Sequence, residues 1–289
     1  MTAEAQFQAA MAGAGLTPPE TINADGLLHR FGVGGKSCWY VLHLDGIPAG
    51  SYGDWKTGHT ETWCAKSKAD MTDSERQATW QRIQTAQRQR DAERDRIHAE
   101  AAARALAIWA AAAPVIDHPY LVRKGVKAHG ARTDGHHLLI PRRDATGKLW
   151  SLQTINVSGE KRFMPGGRVT GTYCPIGTPE GRIIVSEGWA TAATLRESTG
   201  CAVAVTFSAG NLMAVALALR SKFPDIELIF AADDDFLTAG NPGLTAARAA
   251  AVAVVGKLAV PNFTGLVRGI KDTDFNDLKK LLRDKETTS

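Results

Sequence analysis

The sequence contains few cysteines, and none of them lie close together. Only four occur among 289 residues, at Cys38, Cys64, Cys174 and Cys201. Structural zinc sites need closely spaced thiols, and disulfide-stapled scaffolds are short chains, so we expect neither a zinc ribbon nor a disulfide framework. Unpaired cysteines fit a reducing compartment, and we therefore expect a cytoplasmic protein.

Long apolar runs are also missing. The most apolar stretches, 105–116 and 246–255, are alanine-rich and too short or too interrupted to span a bilayer. The N-terminus lacks the basic segment and the apolar segment of a signal peptide. We therefore expect no association with a membrane.

A nucleotide-binding loop of the Walker type is lacking as well. Residues 32–37, GVGGKS, end like such a loop, but the Walker pattern needs a glycine five residues before Gly35, where Arg30 stands. The residues that follow favour a strand, whereas a Walker loop opens a helix. This pattern excludes an NTPase loop and predicts a turn between strands.

Strong net charge is absent overall but present locally. The formal net charge is only +4. Residues 118–170, however, contain ten Lys or Arg and only three Asp or Glu. A concentrated basic block is typical of a surface that holds phosphates, although most charge runs simply face solvent.

Four regions follow along the chain. A hairpin signal, Asp45-Gly46, lies among strand formers, and the capping-box pattern of residues 72–75 begins a helix that reaches about Ala113. We expect the aromatic side chains of the first region, Trp39, Tyr40, Trp55 and Trp63, to form a core rather than to stack on bases. The predicted regions are a small β-rich module (1–70), a long helical connector (71–113), a basic α+β region (114–178) and an α/β domain (179–289).

Strands and helices alternate in the last region. The basic region predicts antiparallel strands at 137–141, 149–156, 161–163 and 168–173. After Gly181 we predict strands at 182–186, 202–206 and 227–231, and helices at 190–197, 212–222 and 243–258. Alternation of this kind predicts a parallel sheet with flanking helices.

Acidic residues follow two of those strands directly. Glu187 follows one apolar strand, and three aspartates at 233–235 follow another. Ligands bind at the carboxyl ends of strands in such sheets, and clustered carboxylates suit a hard cation such as Mg²⁺. Helix capping is the alternative role for each acidic cluster, including the third one around Asp274 and Asp277.

These motifs resemble the TOPRIM domain of primases, topoisomerases and some nucleases. Residues 187–192, EGWATA, are similar to the Glu-Gly-Tyr-Ala-Thr-Ala motif of primases from satellite phages and conjugative plasmids. Residues 233–235 and 274–278 also look like those proteins. Two departures set the chain apart from cellular primases, because Thr191 stands where they carry an Asp and the zinc ribbon is missing.

The resemblance implies a DNA primase that makes short RNA primers on single-stranded DNA for a phage or plasmid in a bacterial host cell. It implies NTPs as substrates, Mg²⁺ as the metal with Mn²⁺ as the alternative, and a replicative helicase as a candidate partner. Glu187, Asp233 and Asp235 are the predicted catalytic residues and metal ligands, with Asp274 and Asp277 as weaker ligand candidates. The predicted nucleic-acid and nucleotide contacts are Arg123, Lys124, Arg142, Arg143, Lys161, Arg162 and Arg168.

Two other functions stay open on the sequence. A TOPRIM-type nuclease would use the same carboxylates to cut DNA. A non-catalytic DNA-binding or regulatory module would be derived from a primase without its activity. A covalent topoisomerase is the least expected reading, because only four tyrosines are present and no large partner domain accompanies them.

Overall fold

The computed structural model describes residues 1–32, 37–54, 57, 59–67 and 71–288. It divides into two compact units, Met1–Glu93 and Arg94–Ser289. Within the described residues, no helix is both long enough and apolar enough to cross a membrane.

The first unit is a helix packed on a four-stranded sheet. Its elements are α1 (Ala3–Gly13), β1 (His29–Phe31), β2 (Cys38–His43), β3 (Ala49–Asp54) and β4 (His59–Cys64). The strands pair in chain order and every pair is antiparallel. The turn predicted within residues 32–37 falls mostly on residues 33–36, which, like Trp55, lie outside the described residues.

Aromatic side chains form the core of this unit. Phe7 of α1 is fully buried and makes edge-on contacts with Tyr40, Tyr52 and Trp63 at ring-centroid distances of 5.5–6.0 Å. Trp39 and Tyr40 are 5% and 2% exposed. The expected core role of these two residues is therefore confirmed, since rings this deeply buried cannot stack on a base.

A long helix, α2 (Asp73–Ala111), begins in the first unit and ends in the second. The Thr72 N–H donates to Glu75 Oε2 at 2.7 Å, and the Glu75 N–H donates to Thr72 Oγ1 at 3.3 Å. This reciprocal pair is the predicted capping box. The helix ends three residues before Pro114, which cannot supply a backbone N–H to continue it.

The second unit begins with an antiparallel sheet and a short helix. Its first elements are β5 (Ala113–Pro114), α3 (Pro119–Lys124), β6 (Arg132–Thr133), β7 (Leu138–Arg143), β8 (Leu149–Ile155) and β9 (Lys161–Phe163). The strands pair in chain order. Helix α3 ends at Gly125, whose φ of 63° is the left-handed conformation that glycine adopts without strain. The strands of this sheet contain half of the ten Lys and Arg residues of the basic block.

The strand predicted at 168–173 is wrong. Those residues form turns in which Thr172 Oγ1 donates to the Val169 carbonyl at 2.7 Å. Asn211 accepts from the Gly171 N–H and donates to the Thr172 carbonyl, at 2.9 and 2.8 Å. These side-chain partners, one of them 40 residues away, take the place of a strand ladder.

The remaining elements form a second five-stranded sheet with helices around it. They are β10 (Cys174–Ile176), β11 (Arg182–Ser186), α4 (Trp189–Thr199), β12 (Ala202–Val205), α5 (Leu212–Lys222), β13 (Glu227–Ala231), α6 (Pro242–Ala253), β14 (Lys257–Ala259) and α7 (Phe275–Thr288). The strand order is β10-β12-β11-β13-β14, and all pairs except β10 with β12 are parallel. The predicted α/β alternation is confirmed.

The helix predicted at 243–258 is too long. Helix α6 ends at Ala253 because the chain passes close to β13 at Gly256, where a Cβ would lie 2.9 Å from the Leu228 carbonyl oxygen. The next residues form β14, which pairs with residues 229–231. Tertiary pairing therefore overrides the helical tendency of the alanine-rich sequence.

Both faces of the parallel sheet are covered. Ile183 and Val185 of β11 pack with α5 and α6 on one face, while Ile184 packs on the other with α4 and the antiparallel sheet. Alternate residues of a strand point to opposite faces, so β11 is apolar throughout. This burial leaves the carboxyl edge of the sheet as the place where polar side chains emerge.

Candidate active site

Two acidic residues emerge at the carboxyl edge of neighbouring strands. Strands β11 and β13 are parallel, and Ser186 pairs with Ala231, so Glu187 and Asp233 follow at nearly the same level. Glu187 Oε1 and Asp233 Oδ1 are buried and have no hydrogen-bond partner among the described residues. Buried carboxylate oxygens without a partner are costly, which makes this edge a candidate for ligand binding.

The electrostatics at this edge favour protonation. Burial, followed by repulsion from Asp235, raises the pKa of Glu187 to about 7. Burial, followed by repulsion from Glu187, Asp274 and Asp235, raises the pKa of Asp233 to about 8, against an opposing effect of Lys161. Repulsion and burial outweigh the nearby positive charge of Lys161, and a bound cation would relieve both effects.

Asp234 and Asp235 are held by the chain itself. Asp234 Oδ1 accepts from Asn241 Nδ2 at 2.7 Å, and its Oδ2 accepts from Arg268 Nη1 at 2.7 Å. Asp235 Oδ2 accepts from the Gly243 N–H at 3.2 Å. A Cβ at Gly243 would lie 2.9 Å from the Asp233 carbonyl oxygen, so a glycine is needed for this close approach.

Arg268 is a residue of the site that the sequence did not reveal. Its Nη2 also donates to the Asp234 carbonyl at 2.8 Å, and its Nε donates to the Asp272 carbonyl at 2.7 Å. The guanidinium lies 3.7 Å from the Phe236 ring centroid and 4.2 Å from that of Phe263. Arg268 thus neutralises the middle aspartate of 233–235 and fixes the turn, yet no motif or spacing in the sequence marks it.

The third acidic cluster caps α7. Asp274 Oδ1 accepts from the N–H groups of Asn276 and Asp277 at 2.7 and 2.9 Å, and its Oδ2 accepts from Thr191 Oγ1 at 2.7 Å. Asp277 Oδ2 accepts from the Thr273 N–H at 3.1 Å. Burial, followed by repulsion from Asp274, raises the pKa of Asp277. The capping alternative therefore accounts for the contacts of both residues, and their assignment as metal ligands stays a prediction.

Two of the predicted basic contacts lie near these acids. The surrounding protein and Lys124 lower the pKa of Lys161, although its side chain stays exposed, while Asp274 and Asp233 raise it. Lys124 Nζ lies 3.8 Å from Asp277 Oδ1. Strand β9 and helix α3 therefore bring the ammonium groups of Lys161 and Lys124 close to the carboxylates, which is the juxtaposition that phosphate chemistry needs.

The other predicted basic contacts have partners of their own. Arg123 donates to the Val157 carbonyl, Arg143 to the Gly147 carbonyl, Arg162 pairs with Glu160, and Arg168 lies over Trp150. Arg142 is only 1% exposed, so in this conformation it cannot contact a phosphate at the surface. The structure therefore gives its predicted phosphate contact no support, and the roles of the others stay predictions.

The carboxylate oxygens at this edge are of the kind that bind a divalent cation, but too few of the described side chains converge to complete its coordination shell. Glu187 and Asp233 offer the hard oxygen ligands that Mg²⁺ prefers, with one buried oxygen each free of other partners. Within the part of the chain that the structure describes, however, no group of three or more His, Cys, Asp or Glu side chains is arranged to hold a metal ion. Phosphate oxygens and water commonly complete such a shell.

Comparison with known proteins agrees with the predicted family. Residues 182–281 match the family described as Toprim domain. DNA primase TraC of Escherichia coli is 39% identical over 286 residues, an alignment that covers 91% of this chain and 20% of that protein. A second Escherichia coli DNA primase TraC is 39% identical over 258 residues, covering 83% and 24%. The chain therefore spans about a quarter or less of the curated relatives it matches.

Solved structures include similar primase fragments. The crystal structure of the primase fragment of the bacteriophage T7 primase-helicase protein aligns with a TM-score of 0.42 and 17% identity. That alignment covers 58% of this chain and 72% of that chain. The family match at residues 182–281 and the observed order of elements confirm the predicted fold class: an α/β Toprim domain preceded by an antiparallel α+β region, a long helix and a small β-rich module.

Proposed function

We propose that this chain, which carries a Toprim domain at residues 182–281, is a DNA primase of the mobile-element type. In this proposal it makes short RNA primers from NTPs on a single-stranded DNA template, in the cytoplasm of a bacterial host, with a replicative helicase as candidate partner. The observation that carries the proposal is the pair of unpartnered carboxylate oxygens on Glu187 and Asp233 beside the ammonium of Lys161. The identity to DNA primases over 91% of the chain supports it.

The carboxylates would hold the metal. Glu187 and Asp233 are the proposed ligands of Mg²⁺, with Mn²⁺ as the alternative ion, and Asp235 supports them from the same turn. When bound, the divalent cation supplies charge neutralisation for the triphosphate and activates the attacking hydroxyl. Glu187 serves better as a ligand than as a general base, because a carboxylate beside a cation has a lowered pKa.

Basic side chains would position the phosphates. Lys161 is exposed and interacts electrostatically with Asp233 and Asp274, which supports a role for it in binding an NTP phosphate. Lys124 at the end of α3 lies beside the start of α7 and would bind the strand on that side. Phosphoryl transfer depends mainly on such positioning and charge neutralisation, which is all that these residues need to provide.

Primer synthesis tests the proposal directly. The protein is incubated with single-stranded DNA, labelled NTPs and Mg²⁺, alongside the double variant Glu187→Gln with Asp233→Asn. Glu227→Gln is the matched control, because Glu227 lies at the opposite end of β13, where it pairs with Lys257 and Arg182. We expect labelled oligomers from the wild type and the control, and none from the double variant.

Other products would contradict the proposal. Shortened DNA without labelled oligomers, lost in the double variant, indicates a nuclease that uses the same carboxylates. Binding of DNA without either product, equal in all three proteins, indicates a non-catalytic DNA-binding module. Chelation of divalent cations with EDTA should abolish the oligomers, and their persistence would remove the metal from the proposal.

A further inference from the structure

Two phenylalanines and a buried arginine form a group at the carboxyl edge that the proposed chemistry does not use. Phe163 is the last residue of β9, Phe207 follows β12, and Arg142 belongs to β7. The two rings meet edge to face, with centroids 5.9 Å apart at 85°. The guanidinium carbon of Arg142 lies 4.9 Å from the Phe163 centroid and 4.6 Å from that of Phe207.

Two hydrogen bonds hold the Arg142 side chain in place beneath the two rings. Its Nε donates to Thr172 Oγ1 at 3.2 Å and its Nη2 donates to the Val169 carbonyl at 3.0 Å. Burial lowers the pKa of Arg142 to about 10, so the position is costly for a charged side chain. Cation–π contact with two rings offsets part of that cost and holds both rings in one orientation.

Phe207 ties the group to Glu187. Its N–H donates to the Glu187 carbonyl at 2.9 Å, which continues the pairing of β12 with β11. Its φ of 70° is left-handed, a strained conformation for a bulky residue, and such strain clusters at functional sites. The main chain of Phe207 is therefore joined directly to that of a predicted catalytic residue.

Phe163 is partly exposed to solvent. It is 43% exposed, although covering Arg142 would not require an exposed ring. Phe163 and Lys161 are two residues apart in β9, so their side chains point to the same face of the strand. Lys161 interacts electrostatically with Asp233 on that face. An exposed ring thus adjoins an ammonium group and the predicted catalytic edge.

We propose that Phe163, supported by Phe207 and Arg142, stacks on one base of the single-stranded DNA template, an inference that rests on the proposed primase function. A DNA strand that follows this face of β9 brings a phosphate to Lys161 and a base to the ring of Phe163 next to it. Combination of a basic groove with an exposed aromatic ring is how single strands are held without sequence preference. Edge-to-face support from Phe207 keeps the outer face of Phe163 available.

Equilibrium binding of oligonucleotides tests the stacking contact without nucleotides or metal. The full chain is titrated into a labelled single-stranded DNA and into the same strand with abasic positions, and fluorescence anisotropy gives each Kd. The variants are Phe163→Leu, which keeps an apolar cover over Arg142, and Phe163→Trp, which keeps a stacking surface. Phe223→Leu is the matched control, since Phe223 follows α5 and borders a cavity lined by the amino ends of β11 and β12.

The wild type should bind the abasic strand about fivefold to tenfold more weakly than the intact strand. Phe163→Leu should weaken binding of the intact strand by a similar factor and bind both strands equally, with the salt dependence unchanged because no charge is removed. Phe163→Trp and Phe223→Leu should bind as the wild type does. Binding measured without catalysis keeps this test separate from that of primer synthesis.

Three results would overturn the proposal. One is equal binding of intact and abasic strands by the wild type, a result that does not depend on whether any variant folds. Another is an unchanged preference for intact DNA in a folded Phe163→Leu, with folding checked by its thermal melt. The third is unchanged DNA binding by Phe163→Leu combined with a raised KM for NTP in the separate primer-synthesis assay, which would assign the ring to the free nucleotide instead of the template.

Discussion

Two acidic clusters of the second unit differ in whether their carboxylate oxygens have hydrogen-bond partners. Asp274 and Asp277 at the start of α7 accept from backbone N–H groups and a threonine hydroxyl, so their oxygens have partners within the chain. Glu187 and Asp233 each keep one buried oxygen without a partner, and their pKa values are raised to about 7 and about 8. Clustered acids in a sequence therefore do not by themselves mark a candidate site, whereas buried carboxylate oxygens without a partner do.

The largest expected difference between the two clusters is the effect of a single substitution on primer synthesis. Asp233→Asn removes a proposed metal ligand, and we expect primer synthesis to fall by more than about a hundredfold. Asp274→Asn keeps a capping oxygen for α7, since asparagine is as good an N-cap as aspartate, and should reduce synthesis by less than about threefold. Initial rates of oligomer formation at saturating NTP measure both.

A loss at Asp274→Asn as large as that at Asp233→Asn would contradict this division. It would show that Asp274 acts as a metal ligand in the working enzyme, as the sequence predicted for it, and not only as a cap. Thermal melting of both variants is the control, because neither change should unfold the protein.

Substitution of Arg268 tests whether this side chain stabilises the turn of residues 233–235. Arg268→Met leaves Asp234 without its guanidinium partner, at a site where each side chain is only 18% exposed. We expect the free energy of unfolding to fall by about 2–3 kcal/mol and primer synthesis to fall by about tenfold. Denaturant unfolding and initial rates measure the two effects.

Arg182→Met is the matched control for that change. Arg182 is 56% exposed and its Nε lies 3.8 Å from Glu227 Oε2, so its loss should cost at most about 1 kcal/mol. Equal destabilisation by the two variants would show that the Arg268 contacts add nothing beyond a surface ion pair.

The sequence predicted much of this arrangement because the informative patterns are local. Apolar runs bounded by polar residues gave the bounds of β11, α5 and β13, and a four-residue motif gave the start of α2. Strand-end acids then placed Glu187 and Asp233 at one edge, since parallel strands share their direction. These inferences need no knowledge of distant contacts.

Long-range contacts account for what the sequence did not predict. Arg142 belongs to a basic block, but Phe163 and Phe207, from later in the chain, bury it. Arg268 is a lone arginine whose partner lies 34 residues earlier. The end of α6 depends on β14 pairing with β13. In each case the deciding neighbour is fixed only once the fold has formed.

The raised pKa values of Glu187 and Asp233 should make the free energy of unfolding depend on pH. The raised pKa values mean that the folded protein keeps protons on Glu187 and Asp233 that the unfolded chain loses above about pH 4 to 5. The free energy of unfolding of the metal-free protein should therefore fall as pH rises from 5.5 to 8, and below about pH 4 the pair contributes no difference. Calorimetry in EDTA measures the trend.

The double variant Glu187→Gln with Asp233→Asn is the reference for that trend. Asp144 and Glu197, whose pKa values are lowered, are already ionised in both states across this window, and they titrate alike in both proteins. The difference between wild type and variant should therefore grow with pH, and added Mg²⁺ should raise the wild-type Tm more at pH 8 than at pH 6. A difference independent of pH would mean that the two acids are ionised throughout.

The smallest expected effect concerns the link between the two clusters. Thr191 is buried and donates to Asp274 Oδ2, so Thr191→Val should lower the free energy of unfolding by about 1–2 kcal/mol while primer synthesis changes less than threefold. Thr199→Val in the same helix is the control, because Thr199 is exposed and its hydroxyl has only local partners: it donates to the Leu195 carbonyl and accepts from the Cys201 N–H, so its loss should cost less than about 0.5 kcal/mol. A large loss of synthesis at Thr191→Val without loss of stability would mean that Asp274 must be oriented for chemistry, and the contrast between a capping cluster and a reactive one would no longer hold.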